Sequence, residues 1–346
     1  MSQAQQLADD FAPSARLYTD GHDMLAAEPG LHVLFSVVPA FVRSVGVEAA
    51  AALKGVHLFS EKPQTLDMPT ANAIADAVAE GGVLSSVGFR ERYRPLFRAA
   101  RDFLADKETV HCSFRNFSGL PGAALDPSEH TRWSDDFSKN GGTMFDWGCH
   151  AVDYVRFMTG HDVTSAQAWY NHPPQYRSPL SASVNFQMTN GATMTSTFVA
   201  SGPQPDREPW FVIHFVGGHL CVYGYDRVEV DGEVIYDATQ DKNNAAPDDG
   251  YVKGVGYDPW YEQDRCFVED VRDAIISALS AEQEHKKFKR RLVNDYADGL
   301  LSLGPVLAGW ESARRGGEMI DVRQFCDVAA LDLGSLPVAS IAASED

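Results

Sequence analysis

The sequence predicts an α/β protein: a parallel-sheet domain near the N-terminus, then an α+β domain with a large, mostly antiparallel sheet. Two apolar runs, at 31–39 and 56–63, flank an alanine-rich segment at 45–54. Such runs are typical of parallel strands with helices on both faces, and the segment between them is long enough for a crossover. After residue 104, strand-like segments dominate the sequence, which predicts the antiparallel sheet.

The first part of the chain continues the alternation of strands and helices. An amphipathic helix after Pro63 is predicted to end at Gly81, and a further strand ends at Phe89. A helix at about 95–104 then precedes the second sheet.

The second part reads mainly as strands, which are predicted at 110–117, 163–170, 182–188, 192–199 and 211–216. Asp231-Gly232 lies between two alternating runs, which is the signal for a type I′ hairpin. Helices around 268–275 and at about 292–315 close the predicted fold, and a tail without periodicity follows Asp332.

Composition excludes several classes of protein. The 346 residues carry a formal net charge of -19, which repels nucleic acid, and the one basic run at 285–291 reads as a solvated connection or an anion contact. Five scattered cysteines without a CxxC pair suggest neither a disulfide framework nor a metal site. Neither a signal peptide nor a membrane-spanning stretch is recognisable, so we expect a cytoplasmic protein.

Lys62 is the first candidate functional residue. It lies in Glu61-Lys62-Pro63, directly after a predicted parallel strand. Ligands of open α/β sheets bind beyond the carboxyl ends of the strands, so a lysine at this place is a candidate for a site. The alternative is a solvated charge at a strand exit.

A segment bounded by glycines, at 141–160, carries polar residues at helical spacing. Asp146, His150 and Asp153 stand at i, i+4 and i+7, so on a helix they share one face. A carboxylate one turn away can orient an imidazole while the other ring nitrogen faces a substrate. Asp146 and His150 are therefore predicted as an acid/base dyad. The alternative is a surface pair that adds roughly 0.2–0.5 kcal/mol to the helix.

Three motifs occur in order along the chain: E-K-P at 61–63, V-G-F-x-x-R-Y-x-P at 87–95, and G-G-x-x-x-D-x-G-x-H-x-x-D at 141–153. Together they resemble the glucose-fructose oxidoreductase / inositol dehydrogenase (Gfo/Idh/MocA) family. The resemblance runs from about residue 4 to residue 323, and it includes Gly217–Gly224 and S-A-x-x-G at 312–316.

The resemblance implies an oxidoreductase with a Rossmann domain, an open-faced α+β domain and NAD or NADP as cofactor. Its substrate would be a sugar, cyclitol or related polyol. Residues 1–89 would be a partial dinucleotide-binding domain and 90–330 a substrate-binding and oligomerisation domain, with 331–346 as a tail. A large apolar surface that is exposed to solvent usually marks an interface with another protein, so the open face of the sheet is predicted to form a homo-oligomer.

Lys62, Asp146 and His150 match the catalytic positions of the family. His150 would take the hydroxyl proton and Asp146 would orient it. Lys62 would bind the reacting oxygen, with a pKa lowered by burial beside the oxidised ring. Replacing Lys62 or His150 by alanine is expected to lower kcat by at least about 100-fold.

Other positions are implied more loosely. Pro39, Glu61 and Lys62 would touch the nicotinamide half of the cofactor, and the bond before Pro63 would be cis, as in relatives. Arg92 and Trp133 match positions near the substrate in relatives, although an arginine on a helix and a tryptophan in a loop are more often packing residues.

The sequence departs from the family in two places. Relatives begin with a strand and a G-x-G-x-x-G turn, and the nearest echo here, Gly254-Val255-Gly256, lies in a loop. By pattern, LADDF at 7–11 resembles the end of the second helix and ARLY at 15–18 the third strand, so the first βαβ unit is not recognised. Arg43 stands where the family usually carries histidine.

The missing turn leaves two functional hypotheses open. The first is an active dehydrogenase whose N-terminus is truncated in the given sequence; the chain as written would bind NAD(H) and NADP(H) more weakly than an intact relative, by roughly two to four decades in affinity. The second is a cofactor-poor paralogue that acts as a non-catalytic binding or assembly subunit. The preference between NAD and NADP is not readable, because the strand that carries the discriminating residue is not recognised.

Overall fold

The structure is a computed structural model that describes residues 2–43, 45–121, 137–140, 142–202, 208–240, 259–279 and 294–328. The described elements form a small parallel sheet and a large, mostly antiparallel sheet, with helices packed on them. The predicted fold class is therefore confirmed. The predicted tail at 331–346 lies outside the described residues.

The first part of the chain forms the parallel sheet. Its elements are α1 (Ser2–Phe11), α2 (Gly21–Ala27), β1 (Val33–Ser36), α3 (Val45–Leu53), β2 (His57–Ser60), α4 (Met68–Glu80) and β3 (Ser85–Val87). The strands pair in parallel in the order β1-β2-β3. The predicted strand–helix–strand unit is confirmed, and α3 is its crossover helix.

The segment Ala15–Tyr18 is not a strand, so the assignment of ARLY to a third family strand is wrong. A strand needs a hydrogen-bonded neighbour for its backbone groups, and this segment pairs with none of the described strands. Instead, the Tyr18 hydroxyl donates to the Glu28 carboxylate at 2.7 Å. The helix expected before it is present as α1.

The second part of the chain forms the large sheet and its covering helices. Its elements are α5 (Pro95–Leu104), β4 (Thr109–Phe117), α6 (Phe137–Asn140), α7 (Gly142–Thr159), β5 (Val163–Asn171), β6 (Ser181–Met188), β7 (Thr193–Val199), β8 (Phe211–Phe215), β9 (Gly218–Tyr223), β10 (Arg227–Val230), β11 (Glu233–Asp237), α8 (Pro259–Leu279), α9 (Tyr296–Arg314), β12 (Ile320–Asp321) and α10 (Val322–Val328). The strand order is β11-β10-β9-β8-β4-β7-β6-β5-β12. All neighbours are antiparallel except β4 and β7, which are parallel.

The turn between β10 and β11 has the predicted type I′ geometry. Asp231 has a φ of 51° and Gly232 a φ of 87°, and both values lie in the left-handed region. Aspartate tolerates this region and glycine enters it freely, so Asp-Gly suits the turn. The hairpin prediction is therefore confirmed.

One continuous core joins the two sheets. Leu58 of β2 and Val87 of β3 belong to the same buried cluster as Val306 of α9 and the inner face of the large sheet. Phe145 of α7 packs on Trp310 of α9 with ring centroids 4.3 Å apart. The site residues of α7 are thus held by packing on several sides. Among the described helices, none combines the length and apolar character of a membrane span.

The open face of the large sheet is mostly polar, so the premise of an uncovered apolar face is wrong. Strands β4 to β7 bury one set of alternate residues, including Phe114, Met194 and Phe186, against the helices. The other set stands on the opposite face: His111, Ser113, Arg115, Gln167, Ser183, Asn185, Gln187, Thr193, Thr195 and Thr197. Strict alternation along antiparallel strands produces this division. A homo-oligomer through this face stays a prediction.

Gly299 lies where α9 meets β3 most closely. A Cβ atom at this position would come within 2.7 Å of Gln64 Oε1 and 2.8 Å of Val87 Cγ2. We expect Gly299→Ala to lower the free energy of unfolding by about 1–3 kcal/mol, because overpacking outweighs the helix propensity that alanine gains. Urea unfolding measures the change. Gly30→Ala is the control, since a Cβ there meets nothing within 4 Å. Equal stability of both variants would refute the close approach.

Candidate active site

Lys62 and Asp146 meet between the parallel sheet and α7. The chain leaves β2 at Ser60, and the Lys62-Pro63 bond is cis, as the resemblance implies. Lys62 Nζ donates to Asp146 Oδ1 at 2.7 Å and to the Asp146 backbone oxygen at 3.3 Å. The Lys62 side chain is 14% exposed and that of Asp146 is 37% exposed. Two candidates that lie 84 residues apart are thus one ion pair at the carboxyl end of β2.

The pKa of Lys62 is raised, whereas the sequence-based expectation was a lowered value. Burial is the largest single effect and lowers the pKa of this ammonium group, but the charge and hydrogen bond of Asp146, together with Cys149 and Glu61, raise the pKa by more in sum. Lys62 is therefore a charged hydrogen-bond donor near neutral pH. It is not a base in this arrangement.

His150 lies beside the pair and is buried. Its Nδ1 is 3.2 Å from the Tyr154 hydroxyl, one helical turn further along α7. The pKa of His150 is lowered well below 6.5, first by burial and then by the charges of Lys62 and Arg90. His150 is therefore a neutral imidazole near neutral pH, which is the form that can accept a proton.

The predicted Asp146–His150 dyad does not form, which corrects the assignment of Asp146 as the residue that orients His150. The Asp146 carboxylate binds Lys62, and the described partner of the imidazole is Tyr154. The spacing argument placed Asp146 and His150 on one helical face, but a nearby ammonium is a stronger partner for a carboxylate than a neutral ring.

Aromatic side chains surround His150. Trp147 is 5.6 Å from the imidazole and Phe89 is 6.2 Å away, measured between ring centroids. Trp147 also contacts Trp210 edge to face, and Trp210 contacts Tyr225 in the same way, at 6.2 and 5.0 Å. Both tryptophans are partly exposed. They offer apolar surface beside the imidazole, which sequence reasoning missed because Trp210 lies 60 residues beyond it in the chain.

Arg92 is buried in a network of ion pairs, and its assignment as a substrate residue stays a prediction. It is 5% exposed, and its guanidinium binds Asp153 at 2.5 Å and Asp298 at 2.7 Å. Asp153 is fully buried and also accepts from the Ser302 hydroxyl at 3.0 Å. Arg92 therefore ties the turn after β3 to α7 and α9. A buried arginine needs such partners because an unpaired charge inside the protein is costly.

Arg43 is a structural residue that the sequence left unexplained. Its side chain is buried and donates to the backbone oxygens of Val38, Glu61, Pro63 and Gln64. These four oxygens belong to the segments that leave β1 and β2. Arg43 therefore connects the loop after β2, which carries Lys62, to the end of β1. In the sequence, Arg43 stood out only because it departs from the family pattern.

The remaining candidate residues lie partly at the ends of β1 and β2 and partly outside the described residues. Pro39 is partly exposed and begins a short 3-10 turn after β1. The Glu61 carboxylate accepts from the Lys62 backbone N–H at 2.9 Å. Trp133 and Gly254-Val255-Gly256 lie outside the described residues. Among the residues that the structure describes, no group of three or more His, Cys, Asp and Glu side chains could hold a metal ion.

Known proteins resemble the chain in sequence. A model of the GFO/IDH/MocA C-terminal domain matches residues 99–221. The scyllo-inositol 2-dehydrogenase (NAD(+)) of Bacillus subtilis is 30% identical over 139 residues, which are 40% of this chain and 38% of that protein. Inositol 2-dehydrogenase of Burkholderia multivorans is 27% identical over 238 residues, which are 67% of this chain and 61% of that protein. The chain thus spans less than two thirds of either relative.

The fold also has known counterparts. An inositol dehydrogenase homologue from Azotobacter vinelandii, in complex with NAD+, superimposes with a TM-score of 0.73 at 14% identity, over 92% of this chain and 87% of that one. A small parallel sheet and a large, mostly antiparallel sheet give the chain an α/β fold, with Lys62 directly after β2 and paired with Asp146 of α7. Residues 99–221 thus match the C-terminal domain of the Gfo/Idh/MocA family in sequence, and the chain shares its fold with the inositol dehydrogenase homologue.

Proposed function

We propose that the protein is an NAD(P)-dependent oxidoreductase that transfers hydride between a nicotinamide cofactor and a sugar, cyclitol or related polyol. One observation carries the proposal: Lys62 and Asp146 form an ion pair beside the buried, neutral His150 at the carboxyl end of β2. This is the place where open α/β sheets bind their ligands. The names of the two inositol dehydrogenases among the relatives support the substrate class.

The nicotinamide end of the cofactor fits the residues at this edge of the sheet. Val37 and Val38, just past β1, are 64% and 46% exposed, although both are apolar. They lie next to the Lys62 loop, because Arg43 binds the backbone oxygens of Val38 and Glu61. A flat ring would cover these valines, and we propose Pro39, Glu61 and Lys62 as its other neighbours. When bound, the cofactor supplies the hydride acceptor or donor.

No residues that would bind the phosphate groups of the cofactor are recognised among the described segments. The segments that follow β1, β2 and β3 towards α3, α4 and α5 contain at most one glycine each, so none is a glycine-rich phosphate turn. The described residues therefore support recognition of the nicotinamide half only.

The site residues have distinct roles in the proposed reaction. His150 accepts the proton of the substrate hydroxyl as the hydride leaves the same carbon. Lys62, which stays protonated, donates a hydrogen bond to the reacting oxygen and stabilises its developing negative charge. Asp146 orients Lys62 through their 2.7 Å contact. Trp147 and Trp210 would pack against the apolar face of a sugar ring.

A substrate screen tests the proposal. The purified chain is incubated with NAD+ or NADP+ in excess and with myo-inositol, scyllo-inositol or D-xylose, and reduced cofactor is followed by absorbance. We expect turnover with at least one pair. Calorimetric titration with the same cofactors and polyols separates the two hypotheses. Polyol binding without hydride transfer to either nucleotide would reject the dehydrogenase and favour the binding subunit.

We further propose a homo-oligomer that forms through the open face of the large sheet, and a cytoplasmic location. The polar side chains of that face can form hydrogen bonds between copies. All five cysteines are free, as is usual for proteins in a reducing compartment. Light scattering at micromolar concentration measures the assembly, and a strictly monomeric mass would reject it.

A further inference from the structure

We infer that His214 and His219 form a binding site for a divalent transition-metal ion on the open face of the large sheet. One nitrogen of each imidazole would bind the ion, and water molecules would complete its coordination. Imidazole nitrogen is a suitable ligand for Zn²⁺, Ni²⁺ and Cu²⁺. Neither histidine belongs to the candidate active site, so the inference does not rest on the proposed function.

Three histidines form a row across neighbouring strands. His111 of β4 is the direct partner of His214 of β8, and His214 is the direct partner of His219 of β9. Direct partners on antiparallel strands have their side chains on the same face of the sheet. The ring centroids are 6.1 Å apart in the first pair and 5.8 Å apart in the second. The adjacent residues Ile213 and Leu220 are fully buried, so the row lies on the open face.

The spacing of the second pair suits two imidazoles on one ion. A metal–nitrogen distance of about 2.0–2.1 Å places each ring centre roughly 3 Å from the ion, so two rings on one ion have centres roughly 5–6 Å apart. The 5.8 Å between His214 and His219 lies in this range. His111 and His219 are separated by two strand spacings, about 10 Å, so the three rings do not surround one ion.

Asp231 determines which nitrogen of His219 is available to the ion. Its Oδ1 atom lies 2.9 Å from His219 Nδ1 and accepts from the His219 backbone N–H at 2.9 Å. A carboxylate accepts hydrogen bonds and does not donate them, so Nδ1 carries a proton and the neutral ring has its lone pair on Nε2. A carboxylate behind a histidine ligand orients the ring and raises its basicity, which is a usual feature of metal sites.

The backbone of two strands and a turn holds this carboxylate in place. Asp231 is the first central residue of the type I′ turn between β10 and β11, and its backbone N–H donates to the His219 oxygen at 3.0 Å. Gly218 leaves room for the Asp231 side chain, because a Cβ atom at Gly218 would come within 2.5 Å of Asp231 Oδ2. The partner of His219 is therefore fixed before any ion binds.

His214 is the second ligand because of its place in the row. Among the residues that the structure describes, none forms a hydrogen bond with its ring, whereas His111 Nδ1 lies 2.8 Å from the Thr193 hydroxyl oxygen. Like charges directly opposite each other on neighbouring strands are destabilising, so the row favours neutral rings with lone pairs. The net charge of -19 adds a general attraction for cations.

The ion would stabilise the fold and take no part in hydride transfer. It would connect the hairpin of β8 and β9 to the turn that carries Asp231. His150 lies on α7, which packs on the buried face of the same sheet, whereas the row of histidines lies on the opposite face. Metal binding can therefore be measured without substrate or cofactor.

Calorimetric titration of the purified, untagged chain with nickel chloride tests the inference. We expect Ni²⁺ to bind and to raise the thermal unfolding temperature, because an ion that binds the folded state stabilises it. His214→Gln and His219→Gln should each weaken the affinity by at least about 100-fold, since loss of an outer partner alone costs about 10–100-fold. The chain contains 11 histidines, so the variants identify the site.

His161→Gln, which changes a histidine just beyond the end of α7, is the control and should bind Ni²⁺ as the wild type does. Circular dichroism establishes that each variant is folded. A wild-type chain that binds no Ni²⁺ would overturn the inference. So would an affinity that is the same in the wild type, His214→Gln and His219→Gln, because the ion would then bind elsewhere.

Two further variants test the details of the site. Asp231→Asn keeps the turn, because Asn-Gly is favoured in type I′ turns, but it removes the charge behind His219. We expect about tenfold weaker binding of Ni²⁺, and an unchanged affinity would contradict the role of Asp231. His111→Gln should bind Ni²⁺ as the wild type does. Loss of binding in His111→Gln with none in His219→Gln would overturn the assigned pair of ligands.

Discussion

Replacing His150 by glutamine is expected to lower kcat for polyol oxidation by at least about 100-fold, the lower end for loss of a general base. Glutamine keeps most of the volume of the imidazole and a polar end, but it cannot accept a proton. The buried position of His150 leaves little room for water to act instead. The defect should therefore appear in kcat, with a much smaller change in KM.

The pH dependence of the wild-type rate provides an independent check. Because the pKa of His150 is lowered well below 6.5, the imidazole stays neutral as the pH falls to that value. Its protonation should not reduce kcat/KM between about pH 8 and pH 6.5. His161→Gln, which changes a histidine just beyond the end of α7, is the control and should keep wild-type turnover. Wild-type turnover by His150→Gln would remove His150 from the mechanism.

Replacing Lys62 by methionine is expected to have an effect of similar size, at least about 100-fold in kcat. Methionine retains the length of the side chain and loses the ammonium group. Two interactions are lost: the charge-assisted hydrogen bond to the reacting oxygen, at about 1.5–3 kcal/mol, and the ion pair with Asp146 that orients it. Asp146→Asn should be milder, because Lys62 keeps its charge.

Lys107→Met is the matched control for this experiment. Lys107 pairs with Asp106 after the end of α5 and lies outside the site, so we expect unchanged rates. Circular dichroism and thermal unfolding establish that each variant is folded. Wild-type kcat in Lys62→Met would exclude a role for its charge in the chemistry, and the proposed function would then need a different donor to the reacting oxygen.

Much of the fold could be predicted because its signals are local. The parallel unit from β1 to β2 follows from two apolar runs and an alanine-rich segment between them, and the type I′ turn follows from Asp231-Gly232. The helix at 142–159 follows from its spacing and from Gly160, whose φ of 73° suits the residue that ends a helix. Each of these patterns depends on residues that are close in the chain.

Part of the site could also be predicted from the sequence. The position of Lys62 after a strand and the turn-by-turn spacing of Asp146 and His150 identified three side chains that the structure brings to one place. What the spacing could not decide is which neighbour each would bind. His150 has a polar residue at i−4, Asp146, and another at i+4, Tyr154. Helical periodicity places both next to His150 and therefore cannot tell which of them contacts the imidazole.

The sequence by itself determined the element types, the two sheets and the identity of the chemical groups, because periodicity and turn residues act over a few positions. Tertiary structure alone decided the pairings. Lys62, from the loop after β2, binds Asp146 of α7, and the described partner of His150 is Tyr154. Arg92 is buried and forms ion pairs with carboxylates on two helices. The attraction between two charges depends on their distance in space, and an unpaired charge costs more free energy when it is buried. A buried charge therefore pairs with the nearest opposite charge in the folded protein, even when that residue is far away in the sequence.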